Sequence, residues 1–144
     1  CTSSAASDVY KRQVLQEQSQ RPSFSRKQRE RDMNPHVQML AAEIRRSGAL
    51  PVLFQTWGRR DGDRANRESF PGDTFEKMQK RLIAGYHEAA VVAGHALIVP
   101  VGEAWAAEVK KGRGQRLFAK DGSHPSAAGV EFSARVFNDF FFGN

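Results

Sequence analysis

The chain has 144 residues, 40% of them hydrophobic, and a formal net charge of +6 at pH 7. That length suits one domain with one modest core, and the composition is globular rather than disordered. No apolar run reaches the roughly 18 residues that a membrane-spanning helix needs, and the single cysteine, Cys1, excludes an internal disulfide framework.

The first stretch with a recognisable pattern is SSAASDVYKRQ, Ser3–Gln13. It has no hydrophobic period and lacks the apolar centre of a secretory signal. Codon by codon it resembles one reading frame of a transposase-type sequencing adapter. Residues 1–13 are therefore expected to be an adapter-derived artefact outside the fold. On that expectation the natural sequence begins near Val14, in mid-gene, and its N-terminus lies upstream.

Val14–Gln18 reads as the end of a strand, and Ser19–Met33, polar and rich in Arg, as a loop. A helix is expected from Pro35 to about Arg46, with Asn34 as N-cap and Pro35 at the first helical position. Its apolar face holds Val37, Leu40, Ala41 and Ile44, and Gly48 ends it. Pro51–Trp57 reads as a buried strand, followed by a long polar loop, Gly58–Gly72. The next helix opens on Asp73 and Glu76, which approximate a capping box. Phe75, Met78, Leu82, Tyr86, Ala89, Ala90 and Ala93 mark its face, and Gly94 closes it. Ala96–Gly102 reads as another buried strand and Glu103–Lys111 as a short helix. The last helix is expected over about Pro125–Phe141, with Phe132, Val136, Phe137, Phe140 and Phe141 on or near its buried side. Alternation of continuous apolar strands with helices implies a parallel sheet covered on both faces.

In open parallel sheets, sites form outside the carboxyl ends of the strands. The unusual residues of this sequence gather there: Gln16 and Gln18, then Trp57, then Glu103 and Trp105, with Asp121 and His124 in the loop before the last helix. Asp121 and His124 stand three positions apart, close enough to meet in one turn. An imidazole can take a proton from a nucleophilic hydroxyl, and a carboxylate on its other nitrogen fixes the tautomer. The same spacing also serves a capped surface turn, and spacing alone leaves both readings open. The remaining histidines, His36, His87 and His95, show no metal-ligand spacing, and no phosphate-binding glycine loop is present.

DGSHPSAAG, Asp121–Gly129, resembles the last sequence block of the SGNH (GDSL-like) hydrolases, an Asp-x-x-His-Pro motif before the C-terminal helix. VLQEQSQRP, PVLFQTWG and IVPVGEAW resemble a bacterial branch of the same superfamily. The resemblance implies a flavodoxin-like three-layer α/β/α sandwich on a parallel sheet, N-terminally truncated, with 14–144 a partial SGNH hydrolase domain. It implies a serine esterase or acyl hydrolase acting on carbohydrate or lipid esters, deacetylation included, with no cofactor or metal and a small-molecule or carbohydrate ester as partner. Carried over by residue, His124 is the general base and Asp121 orients it. Gln18 falls nearest the position of an oxyanion-hole Asn, one methylene longer, so an oxyanion donor and a loop cap are both open. Trp57, Glu103 and Trp105 are candidates for the substrate mouth, with a core role open for Trp57. The family's nucleophilic Ser block and its Gly-donor block have no counterpart here, which leaves this chain inactive on its own. Two other readings stay open, the first resting on the resemblance and the second on the residues. One is a non-catalytic carbohydrate-binding relic of the fold. The other is a basic nucleic-acid-binding module built on Arg26–Asp32, which has no interleaved aromatic residues for base stacking, so no nucleic acid is expected.

Overall fold

The computed structural model describes residues 11–18 and 20–143. Three strands, β1 (Lys11–Leu15), β2 (Ala49–Phe54) and β3 (Leu97–Val99), form one parallel sheet in that order. The register runs from Lys11 opposite Ala49 to Leu15 opposite Leu53, and from Val52 opposite Leu97 to Phe54 opposite Val99. Successive side chains of a strand point to opposite faces, and β2 shows what that does. Leu53, with Leu15 and Ile98 beside it, packs against Met33, Met78, Leu82 and Tyr86. Val52 and Val99 turn the other way, onto Trp105, Leu117 and Phe118, with Phe54 at the edge of that cluster. Helices α2 (Asn34–Arg46) and α3 (Phe75–Val92) supply the first layer, and α4 (Val101–Lys110) and α5 (Ala127–Phe142) the second. The architecture is a three-layer α/β/α sandwich of the flavodoxin-like kind.

The element boundaries depart from expectation where local chemistry was misread. The stretch expected to be a loop holds α1 (Arg26–Asp32), which opens on a capping box between Ser25 and Gln28. Its sequence, RKQRERD, has no apolar period to announce it. Asn34 is not a cap. Met33 holds that position, and the Asn34 amide donates to Glu88 Oε1 at 2.6 Å. Nor does Asp73 cap α3. Thr74 does so, while the Asp73 carboxylate takes two hydrogen bonds from Arg81, each 2.8 Å, and one from the Asp63 amide at 2.8 Å. Val101 and Gly102 belong to α4 rather than to β3, and α5 starts after Ser126, whose hydroxyl accepts from the Gly129 amide. Pro125 is thus outside the helix, in an isolated antiparallel bridge with Phe118. Leu40 and Phe140, placed on buried faces by periodicity, are 44% and 36% exposed.

The expected boundary at Val14 falls inside β1. Lys11, Arg12 and Gln13 pair with Ala49, Leu50 and Pro51, so these three stand in the sheet rather than clear of it. Their side chains are exposed. The ladder uses backbone groups only, which is how residues with no apolar pattern extend a strand. The expectations for residues 1–10 and for Ser19 lie outside the described residues.

Charged side chains stitch the outer surfaces of the layers. Arg29, mostly buried, donates to Glu88 Oε2 at 2.6 Å. Glu108, at the end of α4, gathers Arg113 at 2.7 Å and Lys111 and Arg116 at 3.5 Å each. Hydrogen bonds from Arg113, reinforced by the neighbouring cations against the opposing effect of burial, hold the Glu108 carboxyl at about 2 instead of 4.5. A carboxyl with a depressed folded-state pKa stabilises the fold above its unfolded value, and that contribution fades as pH falls through the folded one. Thermal melts of Glu108→Gln should therefore start below the parent at neutral pH. Between pH 4.5 and about 2 they should fall less steeply than the parent's; parallel slopes would show that Glu108 carries none of the acid sensitivity.

Candidate active site

The carboxyl ends of the strands open onto one rim. Gln16 and Gln18 leave β1, Thr56, Trp57 and Arg59 leave β2, and Ser123, His124 and Pro125 come from the loop before α5; together they line a cavity of about 550 Å³. Two close approaches fix the rim. Buried Gln55 accepts from the Glu103 amide at 3.0 Å and donates to Glu103 Oε1 at 3.1 Å, tying the end of β2 to the first turn of α4. Gly102 lies so close to the Thr56 carbonyl that a side chain there would collide with it. The position is restricted to glycine by contact rather than by φ.

The loop carrying Asp121 and His124 is tied down at several points. A tight turn joins the Gly122 amide to the Ala119 carbonyl at 3.0 Å, with Gly122 at φ +69°, where glycine is strain-free. The Arg60 amide donates to the Gly122 carbonyl at 2.8 Å and the Ala119 amide to the His124 carbonyl at 2.9 Å. The Trp57 indole N–H donates to the Ser123 carbonyl at 3.1 Å, linking the end of β2 to the residue before the imidazole.

Within this loop Asp121 meets His124. Asp121 Oδ2 stands 2.6 Å from His124 Nδ1, and Oδ1 accepts the amides of Ser123 and His124, each at 2.9 Å. The His124 hydrogen bond first, then those two amides, hold the Asp121 carboxyl far below the usual carboxylate range. An ionised carboxylate at Nδ1 favours the tautomer with its proton there, so Nε2 is left as the acceptor. Both side chains are open: His124 is 80% exposed and Asp121 51%. The pair is oriented from below and reachable from above, as a general base must be.

The other candidates divide. Gln18 lines the same cavity and is exposed, with its amide turned onto Gln20: Nε2 donates to Gln20 Oε1 at 2.9 Å and Oε1 accepts the Gln20 amide at 3.2 Å. Trp57 is half-buried at the mouth. Trp105 is not at the mouth. It is fully buried beneath Trp57, the two rings stacked 4.0 Å apart at 5°, and its N–H donates to Ser133 Oγ at 3.0 Å. An indole one turn into α4 faces the sheet, not the rim. Glu103 is exposed but does not line the cavity; its carboxylate serves Gln55. Arg59 is the charged lining residue that sequence reasoning passed over, along with Phe54, Thr56, Ser123, Val130 and Ser133, although it follows Trp57 by only one glycine after a strand end. Among the described residues, no three His, Cys, Asp or Glu side chains gather as a metal site would require.

No family model and no curated protein matches the chain. Among solved structures, a putative SGNH hydrolase from Slackia heliotrinireducens is similar to it, with a TM-score of 0.70 and 29% identity over 90% of this chain. The fold is SGNH-like. The chain spans 64% of the length of that protein. That likeness supports the SGNH-like fold and, at the level of the superfamily, the hydrolase resemblance.

Proposed function

We propose that the chain is part of an SGNH-type serine esterase that hydrolyses small acyl esters of carbohydrate or lipid alcohols. The observation that carries this is the 2.6 Å Asp121–His124 pair, held on the rim of a cavity at the carboxyl ends of parallel strands. In the proposed reaction a serine hydroxyl, contributed by a part of the protein outside this chain, gives its proton to His124 Nε2 as it attacks the ester carbonyl. Asp121 keeps the imidazole in its reactive tautomer and steadies the imidazolium. Gln18 is the proposed oxyanion donor, acting once its amide leaves Gln20.

The basic-module reading is less well supported. Each arginine of α1 has an acidic partner: Arg26 with Glu30 at 2.7 Å, Arg29 with Glu88 at 2.6 Å and Arg31 with Asp32 at 2.6 Å. Charge already neutralised this way contributes little to phosphate binding. The test compares p-nitrophenyl acetate turnover by this chain and by the complete gene product. The chain alone should be inactive and the complete protein active. Turnover by the chain alone, abolished in His124→Ala, would place the nucleophile within the 144 residues of this chain and refute this assignment of it.

A further inference from the structure

The cavity has an uneven lining. Phe54, Trp57, Pro125 and Val130 give it an apolar wall, and among the described residues lining it Arg59 alone bears a permanent charge. The backbone of Arg59 is fixed. The preceding Gly58 amide donates to buried Gln79 at 2.7 Å, and its own amide lies 3.3 Å from Met78 Sδ.

The Arg59 side chain is far less committed. One terminal nitrogen reaches Asp63 Oδ1 at 3.5 Å, the long limit of a hydrogen bond. Fully buried Asp63 already has closer donors: Gln20 Nε2 on Oδ1 at 2.9 Å and Asn66 Nδ2 on Oδ2 at 2.8 Å. Arg59 Nε is buried without a partner, and the other terminal nitrogen has none among the described residues. Buried polar groups are nearly always paired, so an Arg beside a cavity with so few partners calls for an explanation. Asp63 supplies countercharge from behind, and the terminal nitrogens, rather than the enclosed Nε, keep N–H groups to offer to a ligand.

We propose that Arg59 is a specificity residue that binds a carboxylate on the substrate, so that the cavity selects esters of acidic molecules with an apolar or ring-shaped body. A guanidinium pairs with a carboxylate through two parallel hydrogen bonds, a geometry that an amide or hydroxyl cannot match. The apolar wall takes the body of the ligand, and Arg59 sets which end faces His124. The substrate class rests on the hydrolase reading; the recognition of the carboxylate does not.

The test is a binding titration on the 144-residue chain, followed by the Trp57 indole and Arg59 side-chain N–H signals in nuclear magnetic resonance. The probes are 4-acetamidobenzoate and its neutral isostere 4-acetamidobenzamide, neither of which needs to be hydrolysed. The carboxylate is expected to bind about tenfold more tightly, as suits one charge-assisted pair. Arg59→Gln should bring the preference to within about twofold, and Arg59→Lys, which keeps the charge and loses the fork, should leave about threefold. Arg135→Gln, a charge change on an exposed stretch of α5, should leave it intact. Equal binding of the two probes by the parent overturns the proposal, as do carboxylate-dependent shifts away from Trp57 and Arg59, or a preference that Arg135→Gln removes as fully as Arg59→Gln. If Arg59→Gln does not fold, the shift positions in the parent and the Arg59→Lys titration decide. An Arg59-dependent preference in a complete protein without esterase activity would sink the hydrolase reading and leave the recognition standing. Esterase activity with no carboxylate preference would do the reverse.

Discussion

His124→Ala is expected to lower ester turnover by the complete protein about 10²–10⁴-fold, the range that a positioned acid–base group contributes. The loss should fall on kcat more than on KM, because the imidazole acts on a proton in flight while the cavity wall holds the substrate. Asp121→Asn should lose a comparable amount for a different reason. The Asn side chain could offer its N–H to Nδ1, stabilising the wrong tautomer and putting the ring proton on Nε2, where the acceptor has to be. The pH profile separates the partners further. The Asp121 carboxyl is held far below the usual carboxylate range by the His124 hydrogen bond and the amides of Ser123 and His124, so it stays ionised through that range. Protonation of Asp121 should therefore add no limb to the kcat/KM profile across the usual carboxylate range, and a limb there that Asp121→Asn removes would refute this. Equal turnover with and without His124 would remove it from the mechanism.

The sequence carried the layered fold because its strands are continuous apolar runs and its long helices keep the helical period, as Met78, Leu82 and Tyr86 do along α3. It was weaker where structure depends on polar side chains. Asn34 and Asp73 look like caps by residue type, yet each is drawn off by a distant partner, Glu88 and Arg81, which no local pattern contains. For α1 the signal was present in Ser25 and Gln28, but there was no apolar face to draw attention to it. The Asp121–His124 pair was legible because its contact is local, made within one turn. Arg59 was not, because its significance lies in what it lacks: a partner for Nε, which only packing reveals. The same holds for Trp105, assigned to the mouth from its place after β3, whereas its direction depends on how α4 sits on the sheet.

That misplaced tryptophan supports the site from underneath. Trp105 is fully buried, stacked on Trp57 at 4.0 Å, edge-on to Phe118 at 5.0 Å and hydrogen-bonded to Ser133. Removing so large a side chain loses its transfer energy and leaves a cavity, so Trp105→Ala should cost about 3–5 kcal/mol in urea unfolding followed by circular dichroism. For a domain of ordinary stability, about 5–15 kcal/mol, that is a large share. Trp105→Phe keeps a ring against Trp57 and forfeits the Ser133 hydrogen bond, and should cost about half as much. The consequence reaches the site through Trp57, whose stacked ring directs its N–H to the Ser123 carbonyl, one residue before His124. Trp57→Ala should therefore destabilise less than Trp105→Ala, since Trp57 is only half-buried, yet loosen the His124 loop more. A double-mutant cycle between the two should return a coupling of about 0.5–1.5 kcal/mol, the usual worth of an aromatic pair beyond its buried area. Strict additivity would show that the stacking does not link the core to the loop, and that the Gly122 and Ala119 hydrogen bonds hold His124 without it.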